Sequence, residues 1–165
     1  MSEALPYQIT LTYPAEASQL LLPDAHFSRN SSLRADGKHE VAASSPAIYG
    51  GDGSRYNPEE LMLMSLAQCH MLTYLAIAAK KQMKILRYED RATGQLGIGK
   101  AGGIGVEGRI SMQQVTLRPR VTVAKGTNLD DARAMHVKAH ANCFMANSVN
   151  FPVTTEPEMV EAESA

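Results

Sequence analysis

The chain has 165 residues, 16 basic against 17 acidic side chains, and a formal net charge of −1. That length suits one domain with a core of its own, independent of disulfide staples. So even a balance argues against a basic patch for nucleic acid or for an anionic membrane surface.

The opening, MSEALPYQITLTYP, has no cationic stretch followed by an apolar run and reads as mature sequence. The setting it suggests is a reducing cytoplasm, where two cysteines do not usually form a permanent bridge. Residues 1–52 read as N-terminal strands and a loop. YQITLTYP and HFSRNSSL have β-leaning composition, and RADGKHEVAA reads as a hairpin turning at Asp36-Gly37. SSPAIYGGDGSRYNP is a Gly/Pro/Ser loop.

A central helix is predicted over 57–81. Asn57 is a good N-cap, Pro58 suits the first helical position, and Glu60 stands three residues after the cap. Lys80 and Lys81 suit its C-terminal end. The run from Leu61 to Ala79 approaches the length of a membrane span, but it carries Ser65, Gln68, His70 and Thr73, so a buried core helix is the expectation and no membrane partner is implied. Apolar on nearly every side, it should be enclosed by other elements.

Residues 84–125 return to β, as antiparallel strands joined by the turn GKAGGIG. No helix start follows those glycines, so a turn is favoured over a phosphate cradle. A second helix is predicted over 128–147, with Asp130 and Asp131 in its first turn. A last strand, FPVTTEP, opens residues 150–165, whose acidic end should fray. The order is that of an α+β fold, an antiparallel sheet on long buried helices.

Cys69 lies in the middle of the first helix and Cys143 in the second, 74 positions apart. If the helices pack together the thiols can meet; if not, they are two inert core residues, a common role for free cysteine. His136, His140 and Cys143 fall at i, i+4 and i+7, one helix face. Such a stripe can begin a metal site, but no fourth ligand is evident. A polar stripe, or a histidine that positions the thiol, is the plainer reading. Glu59 and Glu60 are explained by capping and the helix dipole, and Arg29 and Arg34 by surface exposure.

GGDGSRYNPEEL, leading into a helix with cysteine ten residues after Glu59, together with AHANC around the second cysteine, resembles the OsmC/Ohr family (osmotically inducible protein C and organic hydroperoxide resistance protein). The resemblance covers nearly the whole chain as a single OsmC-like domain, 1–165. It implies a thiol peroxidase that reduces organic hydroperoxides, working as an intertwined homodimer with active sites at the subunit interface. By position, Cys69 resembles the peroxidatic cysteine, Cys143 the resolving one, Glu59 the family's glutamate and Arg29 its arginine. No cofactor is implied; a small dithiol such as dihydrolipoamide would return the electrons. The chain departs from the family pattern at Phe144, where proline is usual, and at His70, where an aromatic is common. Those departures keep open a rival reading, a non-catalytic protein that holds a small hydrophobic ligand in the apolar pocket near Cys69.

The chemistry suits these residue types. A thiolate, not a thiol, attacks a peroxide, so a buried cysteine needs a fixed positive charge. A guanidinium stays charged, and its planar fork can hold a thiolate and a carboxylate together. Ten helical residues rise about 15 Å, so Glu59 would have to serve the Cys69 of a partner subunit across a twofold axis.

Overall fold

The computed structural model describes residues 6–13 and 27–163. The chain divides into two compact units, Met1–Leu61 and Met62–Ala165. Their elements are mixed α+β, as the sequence implies.

The first unit holds one antiparallel sheet in the order β1-β2-β3, with β1 at Thr10–Thr12, β2 at Ser31–Arg34 and β3 at Val41–Ala43. The predicted hairpin is present. Gly37 takes a φ of 72° in its turn, a conformation glycine adopts without a Cβ clash. The strand expected across HFSRNSSL is shorter, beginning only at Ser31 and leaving Arg29 in the irregular segment before it. His26, in the same stretch, and Pro14, at the end of YQITLTYP, lie outside the described residues.

The glycine-rich loop is organised by two side chains. Asp52 accepts from the Ser54 amide at 2.9 Å and hydroxyl at 2.6 Å and pairs with Arg55 at 3.2 Å, while its own amide donates to Ser44 Oγ at 3.0 Å. The Ser54 hydroxyl, foremost, holds the Asp52 carboxyl below its ordinary pKa. A Cβ at Gly51 would overlap the Ser45 carbonyl, so glycine there is a matter of space. The loop delivers the chain to α1, Pro58–Lys80, through a reciprocal cap. The Glu60 amide donates to Asn57 Oδ1 at 2.8 Å, and the Asn57 amide donates to Glu60 Oε2 at 3.0 Å.

In the second unit α1 buries one stripe, Leu66, His70, Tyr74 and Ala78, spaced four apart as helix geometry requires. Leu63, Ala67, Leu75 and Ile77 pack at its margins, and among the described residues part of this helix stays uncovered. Leu72 is 55% exposed and Met64 46%, against the expectation of burial all round. By length and composition alone α1 would also cross a membrane; its buried stripe is packed into the protein core instead. Tyr74 and Ala78 pack with Val121, Val123, Met135, Ala139 and Met159, and Leu66 with Met112, Val115, Leu117 and Val153.

Two further sheets receive these residues, in the orders β4-β7-β9 and β5-β6-β8. Their strands are β4 (Ile85–Asp90), β5 (Thr93–Ile98), β6 (Ile110–Leu117), β7 (Pro119–Val123), β8 (Val153–Thr155) and β9 (Glu158–Glu161). The turn at GKAGGIG joins β5 to β6. The predicted antiparallel pairings are present, and two parallel ones, β6 with β8 and β7 with β9, add to them. They arise because the chain returns after the second helix to run beside the middle strands. The acidic segment expected to fray contains β9, held by pairing to β7 and by Met159 in the core.

The second helix, α2, spans Leu129–Ala141, shorter than the predicted 128–147. Asn128 Oδ1 accepts from the amides of Asp130 at 2.9 Å and Asp131 at 3.1 Å. At the other end the Cys143 amide donates to the His140 carbonyl, the tighter i−3 bond typical of a helix closing. Replacing Asn128 with alanine should therefore cost about 1 kcal/mol of stability in urea unfolding, while aspartate should keep most of it.

Candidate active site

Cys69 and Cys143 come together in the second unit. Both are free thiols; Cys69 is half-buried and Cys143 is 1% exposed. Cys69 is fixed within α1, where Thr73 Oγ1 donates to its carbonyl at 2.8 Å. Cys143 sits not in α2 but on the turn just beyond it, so the expected helical stripe of His136, His140 and Cys143 is broken at its last member. The turn aims the Ala146 amide at the sulfur, at 3.5 Å.

Burial pushes the Cys143 thiol up to about 11. A hydrogen bond shared with Cys69 works in the same direction, and the amides of Ala146 and Met145 oppose it without prevailing. At neutral pH Cys143 is therefore a protonated thiol, able to donate to its neighbour. Of the two cysteines, Cys69 is the less buried.

Beside the thiols lies a buried pair of imidazoles. His70 Nε2 and His136 Nδ1 are 3.0 Å apart, and the rings are nearly parallel, at 4°. Tyr74 stacks on His136 with centroids 4.2 Å apart, its hydroxyl donating to the Ala132 carbonyl. Burial, chiefly, lowers His70 to about 4 and His136 to about 3, so both rings are neutral. One ring donates and the other accepts, so the two neutral imidazoles hold matching tautomers. Of the expected metal stripe, His136 has its Nδ1 engaged by His70 and Cys143 lies off the helix. Among the described residues no three His, Cys, Asp or Glu side chains converge to hold a metal.

Arg29 and Glu59 belong to the first unit. Arg29 is exposed, its guanidinium 4.5 Å above the Phe27 ring. It borders a mainly apolar cleft of about 380 Å³ with Leu11, Leu33, Ala43, Pro58 and Leu61. Glu59 is half-buried in the first turn of α1, and its Oε2 is shielded from solvent with no partner. Capping accounts for Glu60 but not for Glu59. Arg34 is an exposed residue at the end of β2.

Sequence reasoning flagged the three histidines but not the bond between His70 and His136, which joins positions 66 apart. Tyr88, pushed well above the ordinary phenol range by burial and then by Asp90, had no signal beyond its place in a strand.

Residues 51–158 match the profile of the OsmC family, whose members are described as OsmC-like proteins. An OsmC-like protein of unknown function from Vibrio cholerae is 34% identical, with a TM-score of 0.82 over 95% of this chain and 99% of its own. The organic hydroperoxide resistance protein OsmC of Legionella pneumophila is 21% identical, with a TM-score of 0.63 over 93% of this chain and 97% of that one. The organic hydroperoxide resistance protein OhrB of Bacillus subtilis is 18% identical, at 0.60 over 93% and 98%. These last two share the fold. No curated protein matches the chain.

The neutral imidazoles make the protein acid-sensitive. Below pH 6.5 the unfolded chain binds protons at these rings and the folded one does not, so stability is complete above that pH and falls as it drops toward 4. His70 alone should remove on the order of 3 kcal/mol by pH 4, read as a shift of the urea midpoint. His70→Gln, which keeps an amide donor and does not titrate, should flatten that slope.

Proposed function

The chain belongs to the OsmC-like family, and on that footing we propose that it is a thiol peroxidase for organic hydroperoxides. The observation that carries the reading is the thiol pair, a half-buried Cys69 near enough to a fully buried Cys143 to help raise its pKa.

The Cys69 thiolate attacks the terminal oxygen of ROOH. The O–O bond breaks, the alkoxide leaves and takes up a proton as ROH, and Cys69 becomes a sulfenic acid. The Cys143 sulfur then attacks the Cys69 sulfur, the S–S bond forms, and the hydroxyl departs with the Cys143 proton as water. Two electrons have passed from two thiols to one peroxide. A small dithiol such as dihydrolipoamide restores both thiols, and no further cofactor takes part. Rapid disulfide formation spares Cys69 the irreversible sulfinic state.

Arg29 is assigned to stabilising the Cys69 thiolate and Glu59 to orienting the guanidinium, by position in the family pattern. Glu59's unpartnered, shielded oxygen supports a role that asks for a cationic partner. A homodimer is part of the proposal, and the exposed apolar face of α1, with Leu72, Met64 and Met62, supports it as surface that calls for a cover. A reducing cytoplasm, where a dithiol pool can recycle the disulfide, is the compartment that fits. The names of the Legionella and Bacillus proteins support the substrate class; the more similar Vibrio protein is of unknown function.

Excess cumene hydroperoxide should consume both thiols of the reduced protein within seconds to minutes, and dihydrolipoamide should return them. Cys69→Ser should abolish the reaction. Cys143→Ser should still react once and then accumulate sulfinic acid. Arg29→Ala should slow peroxide attack on the order of 100-fold, several kcal/mol of lost charge stabilisation. Thiols that survive the peroxide unchanged would instead support the ligand-holding reading.

A further inference from the structure

A cleft of about 520 Å³ runs along the flank of α2, lined by Arg133, His136, Val137 and His140 on the helix and by Val153–Thr155 and Pro157 beside it. Neither cysteine lines it. We propose that this cleft is a second binding site, for a small amphipathic monocarboxylate whose charge pairs with Arg133.

The charge argument comes from the neighbouring acids. Glu156 and Glu158 flank the cleft in sequence, yet each is engaged, Glu156 with Arg118 at 2.8 Å and Glu158 with Arg120 at 3.1 Å. Arg133 makes no ion pair among the described residues and stands at the cleft as an uncompensated guanidinium. Its field is felt at His136, where it adds to the effect of burial. The planar fork of arginine matches a carboxylate with two parallel hydrogen bonds. A single guanidinium, with no lysine in the lining, suits one negative charge rather than a dianion.

The walls define the remainder of the ligand. Val137, Val153 and Pro157 make them mainly apolar, and the volume falls in the ordinary range of small-molecule sites, about 300–1,000 Å³. Three lining residues hold polar atoms shielded from water with no partner, His136 Nε2, His140 Nδ1 and Thr155 Oγ1. His136 is itself only 3% exposed. Leaving such atoms unpaired costs about 1–3 kcal/mol each, so a small side-chain movement that opens them to a carboxylate gains what the empty cleft lacks.

The imidazole pair can answer this ligand by its choice of tautomer. With His136 Nδ1 accepting from His70 Nε2–H, His136 carries its proton on Nε2, on the ring edge not bonded to His70. A carboxylate selects that arrangement over the reverse one, in which His136 Nε2 is a bare acceptor.

The test uses the full reduced chain and sodium octanoate, with 1-octanol as the uncharged control. Octanoate should bind saturably, one per chain, by calorimetry, and octanol at least about tenfold more weakly. Arg133→Gln, an exposed substitution, should weaken octanoate about tenfold and leave octanol unchanged. Nitrogen-15 spectra of the imidazoles should show His136 settling on the Nε2–H form with octanoate only. Val137→Asp, which charges the wall, should abolish binding, and Cys69→Ser should leave it intact, keeping this site separate from peroxide chemistry. No saturable binding at millimolar octanoate overturns the proposal. So does binding that ignores Arg133→Gln, or that is equal for octanoate and octanol.

Discussion

The hydrogen bond between His70 and His136 ties α1 to α2 at the level where the cysteines meet. His70 directly follows Cys69, and His136 lies two turns before Cys143, so fixing the imidazoles holds the two helices in place around the sulfurs. The rings are enclosed by Tyr74 and the surrounding core, which keeps them neutral and their bond dry. A dry hydrogen bond is stronger than one in water and far costlier to break on one side. The same burial that gives the helix pair its rigidity gives it its weakness in acid.

Much of this was legible in the sequence. The start of α1 could be read because its signals are local; Asn57, Pro58 and Glu60 act within one turn, and the cap they form is the one expected. The hairpin at Asp36-Gly37 was equally local. The parallel pairings of β8 and β9 were not, since they depend on where the chain returns after α2. The end of α2 was misplaced by six residues because the apolar and histidine pattern continues past Asn142 while the backbone bonds do not. That error moved Cys143 from a helix to a turn.

The site was legible in a different manner. Composition and spacing left Cys69 and Cys143 as either partners or strangers, and only the family resemblance joined them. In the structure Cys69 lies near enough to Cys143 to help raise its pKa. Arg29 was expected in a strand and stands before one. Glu59 was grouped with Glu60 under capping and the helix dipole; the cap is Glu60's, and Glu59's own unpaired oxygen is what makes it of interest. The His70–His136 contact had no sequence signal except that both histidines sit on helix faces otherwise apolar.

The two cysteines differ in the freedom their backbones have, and the proposed reaction needs that difference. Cys69 is held in mid-helix, where every neighbouring amide is spoken for, so its sulfur presents a fixed target to a peroxide. Cys143 follows the C-cap of α2, and a residue outside the helical ladder can shift without breaking it. Closing a disulfide brings the Cα atoms within about 7 Å and the Sγ–Sγ distance to about 2 Å. The turn lets Cys143 make that last movement while His136, anchored a helical stretch earlier, holds α2 in place. A cysteine one turn back on α2 would have had to drag the imidazole pair with it.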